Sequence, residues 1–174
     1  NLVAVAISIT TLRPELVADL EPRTSRPQAR LRAMKQLSDA GVPTRVMVAP
    51  IIPGLNDVEI PAILQAARDA GARSAGYILL RLPYAVKPIF LDWLARTQPT
   101  HSERIESLIR STRNGQLSNS EWGQRFRGAG QIAGQIQQSF NVFRRKLGLD
   151  QPPPPLDVSQ FQPPIPASGQ LRLF

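Results

Sequence analysis

A chain of 174 residues with 42% hydrophobic side chains is long enough for one domain with a sizeable core, and its composition is that of a globular protein. It has no cysteine and one histidine, His101, which excludes disulfides and thiolate metal sites and argues against a zinc or haem centre built from this chain alone. The net charge is +8, and the excess is heaviest in residues 101–150, with eight basic groups against four acidic. Such a surface attracts polyanions, nucleic acid first among them; the alternatives are a solubilising face or an acidic partner domain.

No apolar run approaches the ~20 residues that a bilayer span requires. Leu2 to Ile9 is apolar but short. It lacks a basic region before it and a small-residue cleavage site after it, so it reads as a first strand rather than a signal peptide. The expectation is a cytoplasmic protein with no membrane contact. The chain opens at Asn1 almost directly in this strand, which reads as a cut through a larger fold.

The strand leaves its sheet at Thr10 and Thr11. Pro14 and Glu15 then start a short helix, with proline in the first turn and an acid at the positive end. Glu21-Pro22-Arg23 breaks it; Glu21 and Arg23 either pair with each other or cap helices. Ser25 is a candidate N-cap, and Pro27 fits the first turn of a helix carrying Leu31, Met34 and Leu37 at helical spacing. Ala40-Gly41 closes that helix, Gly41 being a natural left-handed C′ residue.

Arg45 to Ala49 is a second strand. Val46 to Ala49 are continuously apolar, the pattern of a strand buried on both faces. Pro50 and Pro53 cannot donate to a ladder and should end it. The Pro53-Gly54 turn follows, and Asn56 or Asp57 caps the next helix. Ile60, Ile63, Leu64 and Ala67 make the buried stripe of that helix, and Ala70-Gly71 ends it. Ala75 to Leu82 is a third strand.

Helix, Ala-Gly and strand thus occur twice in succession after an initial strand. This βαβαβ alternation predicts an α/β fold with a parallel sheet. Ligands of parallel sheets gather at the C-terminal strand edge, which places any site near the Pro53-Gly54 turn and its neighbours. Beyond Pro83 the pattern is helical, over Lys87 to Thr97, Ser102 to Arg113 and Gln131 to Leu147, with a loop over residues 114–130. Residues 151–167 are proline-rich and should be extended or disordered. The division expected is residues 1–98 as sheet and helices, 99–149 as a helical basic extension and 150–174 as the tail.

Ser8 and Thr10 lie at a strand end and either bind a ribose or amino-acid group or are satisfied locally. Arg45 either holds a carboxylate in its guanidinium fork or is a solvated strand edge. Arg81, near a strand C-terminus, is placed for a ligand, or else makes a surface ion pair. Trp122-Gly123-Gln124-Arg125-Phe126-Arg127-Gly128 interleaves aromatics with arginines. Base stacking with phosphate contact wants that composition; the other reading is a loop pinned on the core by Trp122 and Phe126. There is no Ser/His/Asp triad, P-loop or dinucleotide fingerprint, and no residue earns a catalytic or metal-ligating role.

Five stretches together carry a resemblance: Ile7-Ser8-Ile9-Thr10-Thr11; Leu20-Glu21-Pro22-Arg23-Thr24; Ala40-Gly41-Val42-Pro43; Val46-Met47-Val48-Ala49-Pro50-Ile51-Ile52-Pro53-Gly54-Leu55-Asn56-Asp57; and Gly76-Tyr77-Ile78-Leu79-Leu80-Arg81-Leu82-Pro83. Over about residues 1–150 the chain resembles radical S-adenosylmethionine (SAM) proteins related to spore photoproduct lyase, often labelled DNA repair photolyase-like. The Ala-Pro-Ile-Ile-Pro-Gly-Leu-Asn-Asp run is the most specific part. The resemblance implies the C-terminal part of a partial (β/α)6 TIM-type barrel with a helical C-terminal extension. It implies a [4Fe–4S] cluster on a CxxxCxxC loop, SAM on its open iron, and reductive cleavage to a 5′-deoxyadenosyl radical. On that reading Ser8 or Thr10 contacts SAM, Arg45 takes its carboxylate, and Ile78 to Arg81 flank the adenine or the substrate.

The departure is the absence of the cysteine motif. The expectation is that the cluster ligands lie upstream of residue 1, in a missing N-terminal half of the barrel, and that this stretch alone is inactive. The implied partners are that half, an electron donor for the cluster, and nucleic acid through residues 101–150. The alternative is a non-catalytic basic module that binds nucleic acid or acts as a scaffold.

Overall fold

The computed structural model describes residues 3–118, 124–152 and 154–159. Three strands, β1 (Val5–Ser8), β2 (Thr44–Ile51) and β3 (Ser74–Leu79), form one parallel sheet in the order β1-β2-β3. Helix α1 (Pro14–Leu20) and helix α2 (Pro27–Asp39) join the first two strands. A short 3-10 turn (Asp57–Glu59) and helix α3 (Ile60–Asp69) join the second to the third. Helices α4 (Val86–Thr97), α5 (Ser102–Ser111) and α6 (Gly130–Lys146) follow. The chain is a mixed α/β protein, as the alternation predicts.

The helix ends follow the sequence closely. Gly41, Gly71 and Gly148 all have positive φ. At each, the glycine N–H and the next N–H donate back into the last turn, as Gly41 does to Ser38 and Val42 to Leu37. This is the paired-bond stop that a left-handed C′ residue permits. The N-termini differ from expectation. Arg26, not Ser25, occupies the N-cap of α2, with no side-chain cap bond. The Ser25 carbonyl instead accepts from Arg30 Nε at 3.0 Å.

Two apolar cores result. The first lies between one face of the sheet and helices α2, α3 and α6. Val46, Val48, Ala75, Tyr77 and Leu79 meet Met34, Ile60, Ile63, Leu64, Ala67, Ile136 and Phe140 there. The predicted α3 stripe is buried at all four positions. The second core lies beyond the C-terminal ends of the strands, where Leu16, Ile52, Leu55, Leu80 and Leu82 meet Phe90, Leu94, Ile105 and Ile109 of α4 and α5.

Two expectations for β2 are corrected. The strand does not stop before Pro50: it continues to Ile51 through an irregularity after Val48, and Leu80 N–H donates to the Ile51 carbonyl at 2.8 Å. Pro50 lacks a donor, but its neighbours resume the ladder beyond it. Nor is β2 buried on both faces. Val46 and Val48 are buried on the helix side, while Arg45 is exposed and Met47 and Ala49 are half-buried on the other.

The outer edges of the sheet also differ. β3 is covered at its start by Leu149, whose carbonyl accepts from Ala75 N–H at 2.9 Å, and by a bridge between Ser74 and Asp150. At its end Leu79 N–H donates to the Phe126 carbonyl at 2.9 Å. Among the described residues, no strand pairs with the outer edge of β1.

Candidate ligand face of the sheet

Side chains alternate across a strand, and parallel partners in register share a face. The register therefore sets out the face away from the helices as rows. Ala6, Arg45 and Ser74 form the first row, and Ser8, Met47 and Gly76 the second. Ala49 and Ile78 continue the same alternation toward the C-terminal edge. Most of these side chains are small or polar, and Ala6, Ser8 and Arg45 are exposed.

Arg45 starts in the first row but reaches into the second. A Cβ built on Gly76 would stand 2.4 Å from Arg45 Nη2 and 2.9 Å from Met47 Sδ. The guanidinium thus lies across Gly76 in space that no other residue would leave open, on the row of Ser8. It makes no hydrogen bond or ion pair with any described residue. Of the sequence-predicted residues, Ser8, Arg45 and Ile78 share this face.

Thr10 and Arg81 do not join them. Thr10 is buried, and its hydroxyl lies 2.9 Å from Glu21 Oε1 and 3.0 Å from the Ala49 carbonyl, so its proton is already used. Glu21 pairs with Arg30, Oε2 to Nη2 at 3.0 Å, rather than with Arg23. Arg30 Nη1 also donates to the Ser8 carbonyl at 2.9 Å. Arg81 lies two residues beyond β3 with its guanidinium 5.2 Å from the Phe126 ring centre. Trp122 lies outside the described residues.

The turn after β2 is built by one side chain. Asn56 is buried; its Oδ1 accepts from Ile52 N–H at 2.7 Å, and its Nδ2 donates to the Thr10 carbonyl at 2.8 Å and the Pro50 carbonyl at 3.0 Å. It sits at the N-cap of the 3-10 turn but points inward, and makes no cap bond. Asp57 turns back to Gly54 N–H at 3.0 Å. Beside them, Glu59 accepts from the Thr11 hydroxyl at 2.7 Å, Leu12 N–H at 2.8 Å and Arg13 Nε at 3.0 Å. Both loops at the C-terminal edge of β1 and β2 are thereby held in place.

Sequence reasoning missed Arg113. It follows α5 and is buried, yet carries a guanidinium. Nη1 donates to the carbonyls of Gln124 and Arg125, each at 3.0 Å, and Nη2 to those of Leu79 at 3.2 Å and Leu80 at 2.8 Å. It fastens the loop at 124–128 to the end of β3. Burial, and then the charge of Arg81, push its guanidinium below the ordinary arginine value. An arginine closing an amphipathic helix reads as a solvated residue; only the distant carbonyls reveal its role.

No family model matches the chain, and no solved structure matches it. Among curated proteins it is similar to an uncharacterized protein of Mycobacterium bovis and to two from strains of Mycobacterium tuberculosis. Each is 36% identical over 110 residues, covering 62% of this chain and 32% of the relative. The chain spans about a third of the length of these relatives. No helix among the described residues is long and apolar enough to cross a membrane.

Proposed function

We propose that this chain is the C-terminal part of a radical SAM enzyme and supplies half of its SAM site. The observation that carries the reading is the sheet face bearing Ser8, Arg45 and Ile78. All three strands are parallel and in sequential order, with helices on one face and a shallow polar cradle on the other. A section of a (β/α)6 barrel has this arrangement, its uncovered face turned to the barrel interior.

The residues fit SAM in part. Arg45 offers an unpaired guanidinium to a carboxylate, the Ser8 hydroxyl stands on the same row, and Ile78 offers an apolar surface for the adenine. Gly76 keeps that arrangement open. Thr10 and Arg81, spent elsewhere, are not part of it. The residues do not fit an iron–sulfur cluster: the chain has no cysteine, and no group of three potential ligands gathers among the described residues. Bound SAM would supply a radical precursor once a cluster held elsewhere in the intact protein reduced it. The role of this chain is to bind and orient.

The test is anaerobic reconstitution of the full-length protein with iron and sulfide, followed by reduction with SAM present. Release of 5′-deoxyadenosine is expected. A full-length protein that forms no cluster and releases none would end the reading. Nucleic acid as substrate, and a cytoplasmic setting, belong to the same proposal.

A second reading, a basic module that binds nucleic acid, draws on the loop at 124–128. There Arg81 and Arg125 flank Phe126, and Arg127 lies 4.3 Å from the centre of the Tyr77 ring. Salt separates the readings, because phosphate contacts weaken steeply with added salt and a SAM pocket should not.

A further inference from the structure

The C-terminal end of β3 concentrates positive charge. Arg113 is buried there with all four Nη contacts made to carbonyls, none of which carries a formal negative charge. Arg81 lies close enough for its charge to act on Arg113. The Nε atoms of both are buried and donate to nothing. Arg81 makes no hydrogen bond or ion pair among the described residues; its only partner is the Phe126 ring. A third guanidinium, Arg125, stands 4.5 Å from the same ring. Like charges held together without a bonded carboxylate are unfavourable at low dielectric, and an arriving anion relieves that repulsion.

The anion that suits the site is a phosphate. A guanidinium fork matches two phosphate oxygens, and the flat Phe126 face, 37% exposed as a residue, fixes the plane of Arg81 beside it. The position is also the one where parallel sheets place ligands, just past a strand C-terminus. Arg113 is buried too deeply to meet the ligand and acts as a positioning residue, holding Phe126 and Arg125 against the strand end.

We infer that Arg81, backed by Arg113 and planted on Phe126, is a phosphate-binding site. The assignment does not depend on the SAM reading. It deepens the second reading only where the phosphate belongs to a nucleic-acid strand.

The test titrates the 174-residue chain with inorganic phosphate and, separately, with a single-stranded oligonucleotide, and repeats both on Arg81→Gln. The Nε–H signal of Arg81 is followed by NMR, and oligonucleotide affinity is measured against salt. Two outcomes support the site. If it takes a free phosphate, inorganic phosphate shifts the Arg81 signal saturably in the wild type, and Arg81→Gln leaves oligonucleotide binding unaltered. If it takes a strand, the log–log salt slope falls by about 0.7 in Arg81→Gln, the loss of one phosphate contact on a single strand. A wild-type Arg81 signal indifferent to phosphate, with an unchanged salt slope in a folded Arg81→Gln, overturns the assignment. Near-UV circular dichroism establishes that the variant is folded.

Discussion

Asn56 donates through Nδ2 to the Thr10 carbonyl at 2.8 Å, a bond between residues 46 positions apart that ties the exit of β1 to the turn after β2. The same side chain answers Ile52 N–H and the Pro50 carbonyl. An asparagine serves because its amide is both donor and acceptor and fits where no charge could. The most distinctive stretch of the sequence, from Ala49 to Asp57, is thus built around one internal bracket. Asn56→Ala leaves buried partners unpaired and should cost about 3 kcal/mol or more. Asn56→Asp should also destabilise, because two carbonyls then face an acceptor. Urea unfolding measures both; a midpoint within error of wild type for Asn56→Ala would show that water replaces the bracket.

Gly76→Ala separates packing from ligand binding. The new methyl meets the flexible ends of Arg45 and Met47, not backbone, so these side chains can move aside at small cost. Stability should stay within about 1 kcal/mol of wild type, the range of an absorbed small-to-large change. SAM affinity of the intact protein should fall as far as in Arg45→Ala, and adding Gly76→Ala to Arg45→Ala should change nothing further. Calorimetric titration of the four proteins decides it. Unchanged affinity in Arg45→Ala would remove Arg45 from the SAM site.

Arg113→Met keeps much of the length and removes the charge. Four carbonyls lose their donors, two of them at the end of β3, and the expected cost is several kcal/mol. Arg113→Lys should rescue little, since one ammonium cannot span carbonyls from two segments. Limited proteolysis gives the sharper readout: cleavage at Arg125 or Arg127 should accelerate well before global unfolding. Equal cleavage rates in wild type and Arg113→Met would mean that other contacts hold the loop.

Glu59→Gln isolates one charge. The amide retains an oxygen for Leu12 N–H or Thr11 but loses the ion pair to Arg13, whose side chain is 41% exposed. A partly exposed pair contributes little, so the loss should be about 1 kcal/mol or less and should shrink further in high salt. Glu59→Ala, which strips all three bonds, should cost more. Thermal melts at two ionic strengths compare them.

The regular parts of the fold are legible because they obey local rules. Ile60, Ile63, Leu64 and Ala67 fall on one helical face and are all buried. Gly41 and Gly71 occur where only a positive φ stops a helix. The failures are of another kind. Met47 and Ala49 are apolar, like Val46 and Val48, and hydrophobicity alone cannot tell a covered face from an open one. Asn56 has the composition of a cap, but its bonds go to residues that only the fold brings near. Arg113 belongs with them: its partners lie more than ten residues away on either side. Of the candidate site, Ser8, Arg45 and Ile78 share a face because strand register is regular. Thr10 and Arg81 leave it because loops past the strand ends obey no period.

The unequal edges of the sheet give it a direction. With β3 sealed by Leu149, Asp150 and Phe126, any lengthening of the ladder among the described elements has to begin at β1. A strand arriving there would meet Arg30 already on the Ser8 carbonyl, so the upper corner of the seam is guarded while Ala6 below it is exposed. Unpaired strand edges recruit other chains unless something occupies them. An isolated preparation should therefore self-associate through one side only, giving dimers that meet edge to edge at β1 rather than open-ended stacks.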